Sequence, residues 1–245
     1  EGEIRKSIED FRPDVVIHLA AVGDVTLCAE NPDLAFRTSA LSTLNLLEGL
    51  RKSSPATLFL SHTTDKVYSG NGIPFREDMC LKPAHIYEVA KVAQEHLTEC
   101  YARQYNLKSI TIRCGNYFGG YDFNFSRVVP YSIRQCLAKE PIVLRSDGSF
   151  TRDFLYIEDA VLVNQLLIDR HFRDEFEHYG EAFTFSLEVN LSVLDLVKKI
   201  CRLMNESPEI VINSTVKTEI PDMLLSCDKA RKLLNWTPEF NLDEG

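Results

Sequence analysis

The chain has 245 residues and a formal net charge of -9, from 27 Lys and Arg against 36 Asp and Glu, a balance that disfavours nucleic acid as a partner. With 44% hydrophobic and 26% charged residues the composition is that of a globular protein and excludes disordered, collagenous and fibrous classes. The longest uncharged apolar stretches, such as residues 15–22, fall well short of the roughly 20 residues that cross a bilayer, so no membrane partner is expected.

Residues 4–11 show helical spacing at Ile4, Ile8 and Phe11, broken by Pro13, and lead into a β-branched run at 14–21 that predicts a buried strand. Asn31-Pro32-Asp33 predicts a helix start, followed by apolar positions at Leu34, Leu41, Leu44, Leu47 and Leu50, and residues 57–61 predict a second strand. A Gly-, Asn- and Pro-rich loop occupies 69–74. Residues 87–105 then carry an amphipathic pattern long enough for about five turns of helix, and 109–113 predict a third strand. Strands alternating with helices of this length predict an α/β, doubly wound, Rossmann-like parallel sheet covered on both faces. Ligands of such sheets bind at the carboxyl ends of the strands. The expected division is a Rossmann-like domain over 1–120 and, over 121–245, mainly a smaller substrate lobe with some segments returning to the sheet.

The seven cysteines are scattered singly, without the paired spacing of a zinc or redox site, so reduced thiols, a cytoplasmic location and no metal are expected. The first residues lack the apolar run of a signal peptide. No glycine-rich G-x-G-x-x-G turn occurs in the chain, although a nucleotide-binding sheet normally opens with one. The expectation is that about two βα units, on the order of 60 residues, are missing in front.

Two clusters carry chemistry. Tyr87-x-x-x-Lys91 places a phenol and an ammonium on one helical face, where the cation is expected to lower the phenol's pKa and make it a base. Thr63-Thr64-Asp65-Lys66 follows a buried strand and supplies hydroxyl, carboxyl and ammonium in succession. On their own, the first pattern also occurs by chance on surface helices, and the second reads equally as a capped, solvated turn.

Together with His18-Leu19-Ala20-Ala21, Arg113-Cys114-Gly115-Asn116-Tyr117-Phe118-Gly119 and Arg152-Asp153-Phe154-Leu155-Tyr156, these motifs resemble, in order and at family spacing, the extended short-chain dehydrogenase/reductases that act on nucleotide sugars. The Asp65-Lys66 version of the triplet looks most like the CDP-glucose 4,6-dehydratases; relatives that epimerise usually carry Ser-Ser or Ser-Ala where this chain has Thr64-Asp65. The resemblance implies NAD as cofactor and a nucleotide-diphosphate sugar as substrate. Thr64, Asp65, Lys66, Tyr87 and Lys91 would be catalytic. Leu19, Ala20, Ala21, Ser39, Thr63, Tyr87, Lys91 and Cys114 would face the cofactor, and Asn116, Arg127, Arg145 and Arg152 the substrate. Asp65 would act as an acid, which requires a raised pKa in a desolvated site. Family members usually form homodimers through a four-helix bundle, here the helix after Asn31 and the helix of Tyr87. An NAD-dependent epimerase and a truncated nucleotide-sugar-binding remnant are the alternative readings. His18 is expected to be a satisfied core histidine. Trp236 and Phe123, Phe125, Phe150 and Phe154 are expected in the core or the lobe interface.

Overall fold

The computed structural model describes residues 2–214 and 220–245. Helix α1 (Gly2–Phe11) sets Ile8 against α4 (Ser42–Ser53), where a Cβ on Gly49 would stand only 3.3 Å from Ile8 Cβ. Strand β1 (Val15–His18) follows, shorter than the apolar run that predicted it: pairing ends at His18 opposite Ser61, so Leu19, Ala20 and Ala21 leave the sheet and lie exposed. Asp24 then caps α2 (Val25–Glu30) by accepting from Thr26 N and Leu27 N. Pro32 opens α3 (Pro32–Phe36), where its missing N–H costs nothing. A π-type turn, Arg37–Leu41, joins α3 to α4.

Strand β2 (Leu58–His62) is buried at every position, as the centre of a sheet covered on both faces must be. A 3₁₀ turn (Asp65–Tyr68) leads away from it, and α5 (Ile86–Tyr105) opens with a reciprocal cap between His85 and Glu88 and closes on a left-handed Asn106. Strand β3 (Lys108–Cys114) and β8 (Ala182–Phe185) complete a four-stranded parallel sheet in the order β1-β2-β3-β8. Because successive strand residues alternate faces, Leu58 and Leu60 pack with Val163, Leu167, Phe183, Phe185 and Trp236, while Phe59 packs with Ile8, Leu47, Leu50 and Leu107 on the other side. Trp236 meets Phe185 edge-on at 5.0 Å between ring centroids.

Three two-stranded pieces stand beside this sheet. Strand β4 (Asn116–Phe118) runs parallel to β7 (Phe154–Tyr156), β5 (Ile142–Leu144) is parallel to β10 (Ile210–Ile212), and β6 (Thr151–Arg152) is antiparallel to β9 (Leu191–Ser192). Helix α6 (Val128–Ala138) packs on α8 (Val193–Leu203) around Cys136, Ile142, Leu144, Val197 and Cys201. Helices α7 (Ile157–Phe172) and α9 (Asp228–Leu234) contribute to the core of the main sheet.

Phe154 is 2% exposed and lies in the core as expected, and Phe150 is half-buried, but Phe123 is 75% exposed and Phe125 39%. These two sit on the loop between β4 and α6, where no facing layer covers them, so the expectation that they fill the core is corrected. Among the described residues no helix is long and apolar enough to cross a membrane, and no cluster of metal-ligating side chains is gathered.

Candidate active site

The carboxyl ends of β1, β2 and β3 lie along one edge of the sheet and bring together most of the residues singled out above. Thr64, 7% exposed, caps the turn that follows β2: its Oγ1 accepts from Lys66 N at 3.3 Å and donates to Asp65 Oδ1 at 3.1 Å. Asp65 is 2% exposed, and its second oxygen, Oδ2, is buried without a hydrogen-bond partner. Burial pushes this carboxyl up from 3.8 to about 7, Lys66 and Arg152 acting in the opposite direction and Asp153 in the same one. The carboxyl is thus desolvated, as the role expected of it would require.

Tyr87 stands on the first turn of α5, close enough to Thr64 and Asp65 for both to act on its phenol. Burial pushes the phenol up to about 12, which corrects the expectation that the neighbouring Lys91 brings it below its ordinary value. The reason is geometric: one turn further along α5, Lys91 Nζ donates to His62 O at 3.1 Å and to Gln94 Oε1 at 3.0 Å. Its own pKa falls to about 8, again through burial. Two of the three ammonium hydrogens are thereby used; the third is the donor that a ribose hydroxyl of a dinucleotide requires. Exposed Leu19, Ala20 and Ala21 at the end of β1 offer small apolar side chains to a planar ring at the same edge. These residues fit the nicotinamide half of NAD.

Ser39 is buried in the π-type turn, where its carbonyl accepts from Thr43 Oγ1 at 2.6 Å. His18 Nε2 lies 3.0 Å from Thr43 Oγ1, and burial holds its pKa down to about 4: a satisfied core histidine, as expected. Thr63 donates from Oγ1 to Glu95 Oε1 at 2.5 Å rather than standing free. Cys114 ends β3, buried against Tyr117, with its thiol pushed up to about 12.

Of the expected substrate residues, Arg152 is 8% exposed, donates to Thr151 O and Ile220 O, and is close enough to stabilise the Asp65 carboxylate. Asn116 Nδ2 donates to Asp153 O at 3.1 Å. Arg127 is exposed, paired with Asp122 at 3.1 Å, and its charge reaches Tyr87. Arg145 lies further out, 3.5 Å from Ser126 O.

The structure adds residues that the sequence did not flag. His62 Nε2 is 2.9 Å from Asn164 Oδ1 and Nδ1 is 2.9 Å from the Tyr117 hydroxyl. Because Asn164 Nδ2 donates to Ala160 O, Oδ1 is the acceptor, so Nε2 carries the proton and Tyr117 donates to Nδ1. Asp153 accepts from Phe154 N, Val189 N and Leu225 N, tying three segments together beneath the site. Nothing in sequence spacing marks either network; only the adjacency of Asp153 to Arg152 gave a signal.

A sequence model of the NAD dependent epimerase/dehydratase family matches residues 1–180. The chain is 25% identical to the dTDP-glucose 4,6-dehydratase of Xanthomonas campestris pv. campestris, over 99% of this chain and 73% of that one. Its fold is similar to that of UDP-glucose 4-epimerase from Thermotoga maritima, solved with UDP-glucose, with a TM-score of 0.90 and 25% identity over 100% of this chain and 78% of that one. It is also similar to dTDP-glucose 4,6-dehydratase from Streptomyces venezuelae, solved with NAD bound, with a TM-score of 0.88 and 19% identity over 100% and 73% of the two chains.

Proposed function

The chain belongs to the NAD dependent epimerase/dehydratase family, and from that premise we propose that it is a nucleotide-sugar 4,6-dehydratase, which converts an NDP-hexose to the 4-keto-6-deoxy sugar and water. The observation that carries this reading over epimerisation is the Asp65 carboxyl, buried, raised to about 7 and with one oxygen unpartnered. Loss of water needs an acid at the departing hydroxyl; inversion at one carbon does not.

In this reading Tyr87 takes the proton from O4 of the hexose, with Thr64 orienting that hydroxyl. NAD, held by Lys91 and the edge formed by Leu19, Ala20 and Ala21, would supply the hydride acceptor and donor and a cationic ring that favours the phenolate. The ketone at C4 acidifies the C5 proton, which Lys66 removes while Asp65 protonates the leaving C6 hydroxyl. Desolvation strengthens each of these interactions relative to water. Arg152 and Asn116 are assigned to the diphosphate, with Arg127 and Arg145 toward the nucleotide, because guanidinium groups bind phosphate through paired donors.

The Asp65-Lys66 pair nominates CDP-glucose, whereas the Xanthomonas relative acts, by its name, on dTDP-glucose. Both are therefore assayed with NAD, and the product is weighed by mass spectrometry. A product lighter by one water supports the proposal; an isomer of unchanged mass would sink it in favour of an epimerase. We further propose the division into a sheet domain over 1–120 and a substrate lobe over 121–245, and a homodimer across α4 and α5. The exposed apolar side chains Leu34 and Leu41 before α4 and Val89 on α5 support that pairing.

A further inference from the structure

We propose that Cys136 on α6 and Cys201 on α8 form a reversible disulfide that ties these two helices together and weakens the hold of their lobe on the nucleotide sugar. The regulatory half rests on the nucleotide-sugar reading; the sulfur chemistry does not. The two residues are 65 positions apart, yet their sulfurs are in contact at 3.7 Å. Spacing in the sequence pairs no cysteines, but the packing of α6 on α8 does. Both stand in one apolar cluster with Ile142, Leu144 and Val197, where Cys136 is 1% and Cys201 7% exposed. Burial and the neighbouring Cys201 raise the Cys136 thiol to about 11, so Cys136 stays protonated and Cys201, at the rim, meets an oxidant first.

The oxidant is hydrogen peroxide, a molecule small enough to approach the rim of the cluster. The Cys201 sulfur attacks one peroxide oxygen; the O–O bond breaks, water leaves, and the sulfur keeps a hydroxyl as sulfenic acid. The Cys136 sulfur then attacks Cys201, an S–S bond replaces the S–O bond, and a second water leaves with the Cys136 proton. Two thiols lose two electrons, and one peroxide is reduced to two waters. A sulfur already 3.7 Å away intercepts the sulfenic acid before a second peroxide does. Closing from 3.7 Å to the roughly 2.0 Å of a disulfide draws α6 toward α8. Helix α6 starts directly after Arg127, and the same cluster holds β5, which leads to Arg145, so the movement displaces both guanidiniums assigned to the nucleotide.

The test treats wild type with hydrogen peroxide, quenches with catalase, and reads two things: peptide masses, and calorimetric titration with CDP-glucose and with dTDP-glucose. The peptides carrying Cys136 and Cys201 are expected as one linked species, lighter by two hydrogens than the free pair. The Kd is expected to rise about tenfold, the loss of one charged hydrogen bond, and to recover with dithiothreitol. Cys201→Ala is expected to keep its affinity through the same treatment. Separate peptides, or Cys201 recovered with two added oxygens, overturn the disulfide. A linked species with unchanged Kd, or a Cys201→Ala protein that loses affinity equally, overturns the regulation. Should Cys201→Ala fail to fold, the peroxide and dithiothreitol cycle on wild type decides alone. Reduced wild type that binds neither nucleotide sugar overturns the nucleotide-sugar reading and the regulation with it, while the linked peptide still decides the disulfide.

Discussion

Arg113 on β3 and Glu95 on α5 form a buried ion pair, Nη2 to Oε2 at 2.7 Å and Nε to Oε2 at 3.0 Å. The same carboxylate accepts from Thr63, and Arg113 also donates to the Tyr68 hydroxyl, so one pair fixes both ends of the turn that carries Thr64 and Asp65. Glu95→Gln leaves the guanidinium buried without its charge partner, for an expected loss of about 3–5 kcal/mol. The double change Glu95→Leu with Arg113→Met is expected to recover part of this. Urea unfolding of the three proteins decides: a single variant within about 1 kcal/mol of wild type would show that the pair does not hold the turn.

Asp65 links function to stability in the opposite sense. Its carboxyl titrates at about 7 when folded against 3.8 ordinarily, so between these values the folded state keeps a proton that the unfolded state has lost, and stability falls as pH rises through that window. Above about 7 the full cost of a buried carboxylate is present. Asp65→Asn is therefore expected to be inactive yet more stable than wild type at pH 8, by on the order of 1–3 kcal/mol, with the difference shrinking toward pH 4. Thermal melts at the two pH values test this, and a variant less stable than wild type at pH 8 refutes it.

Three strands of the main sheet were legible because parallel strands buried on both faces are continuous apolar runs, and α5 because its amphipathic pattern is long; β8 carried no signal strong enough to be read. The apolar run at Leu19-Ala20-Ala21 misled because side-chain character does not say where a register partner stops. The Thr64-Asp65-Lys66 turn and the Tyr87-Lys91 pair were legible as a motif, but not their electrostatics: how far the Tyr87 phenol and the Asp65 carboxyl rise depends on burial by segments distant in sequence. The His62–Tyr117 contact spans 55 positions and the His62–Asn164 contact 102, a separation that leaves no local pattern. Phe123 and Phe125 were read as filling the core or a lobe interface because aromatic residues usually are buried, and an exposed loop such as that between β4 and α6 is where the tendency carries least information.

Cysteine reactivity tests the packing directly. Cys80 and Cys100 are exposed, whereas Cys28, Cys114, Cys136, Cys201 and Cys227 are buried. Burial also raises the thiol pKa of Cys114 to about 12 and of Cys136 to about 11, keeping the reactive thiolate scarce. A chromogenic disulfide reagent is expected to titrate two thiols rapidly and five only after unfolding. One rapid equivalent would mark Cys100, on α5, as covered by a second copy; three or more would contradict the burial pattern.

The alkaline limb of the pH–rate profile follows from two groups that must both carry protons. Asp65 must hold its proton to act as an acid and titrates at about 7; Lys91 must stay cationic to favour the Tyr87 phenolate and titrates at about 8. Raising the pH removes both, while the Tyr87 phenolate that must take the O4 proton grows about tenfold per unit up to about 12, so kcat/KM is expected to level off above 7 and to fall about tenfold per unit beyond 8. Arginine does not titrate in this range. Lys91→Arg is therefore expected to lose activity, because the longer guanidinium does not fit between His62 O and Gln94, while its residual profile stays level beyond 8. A Lys91→Arg profile as steep as that of wild type would show that the second proton belongs to another group.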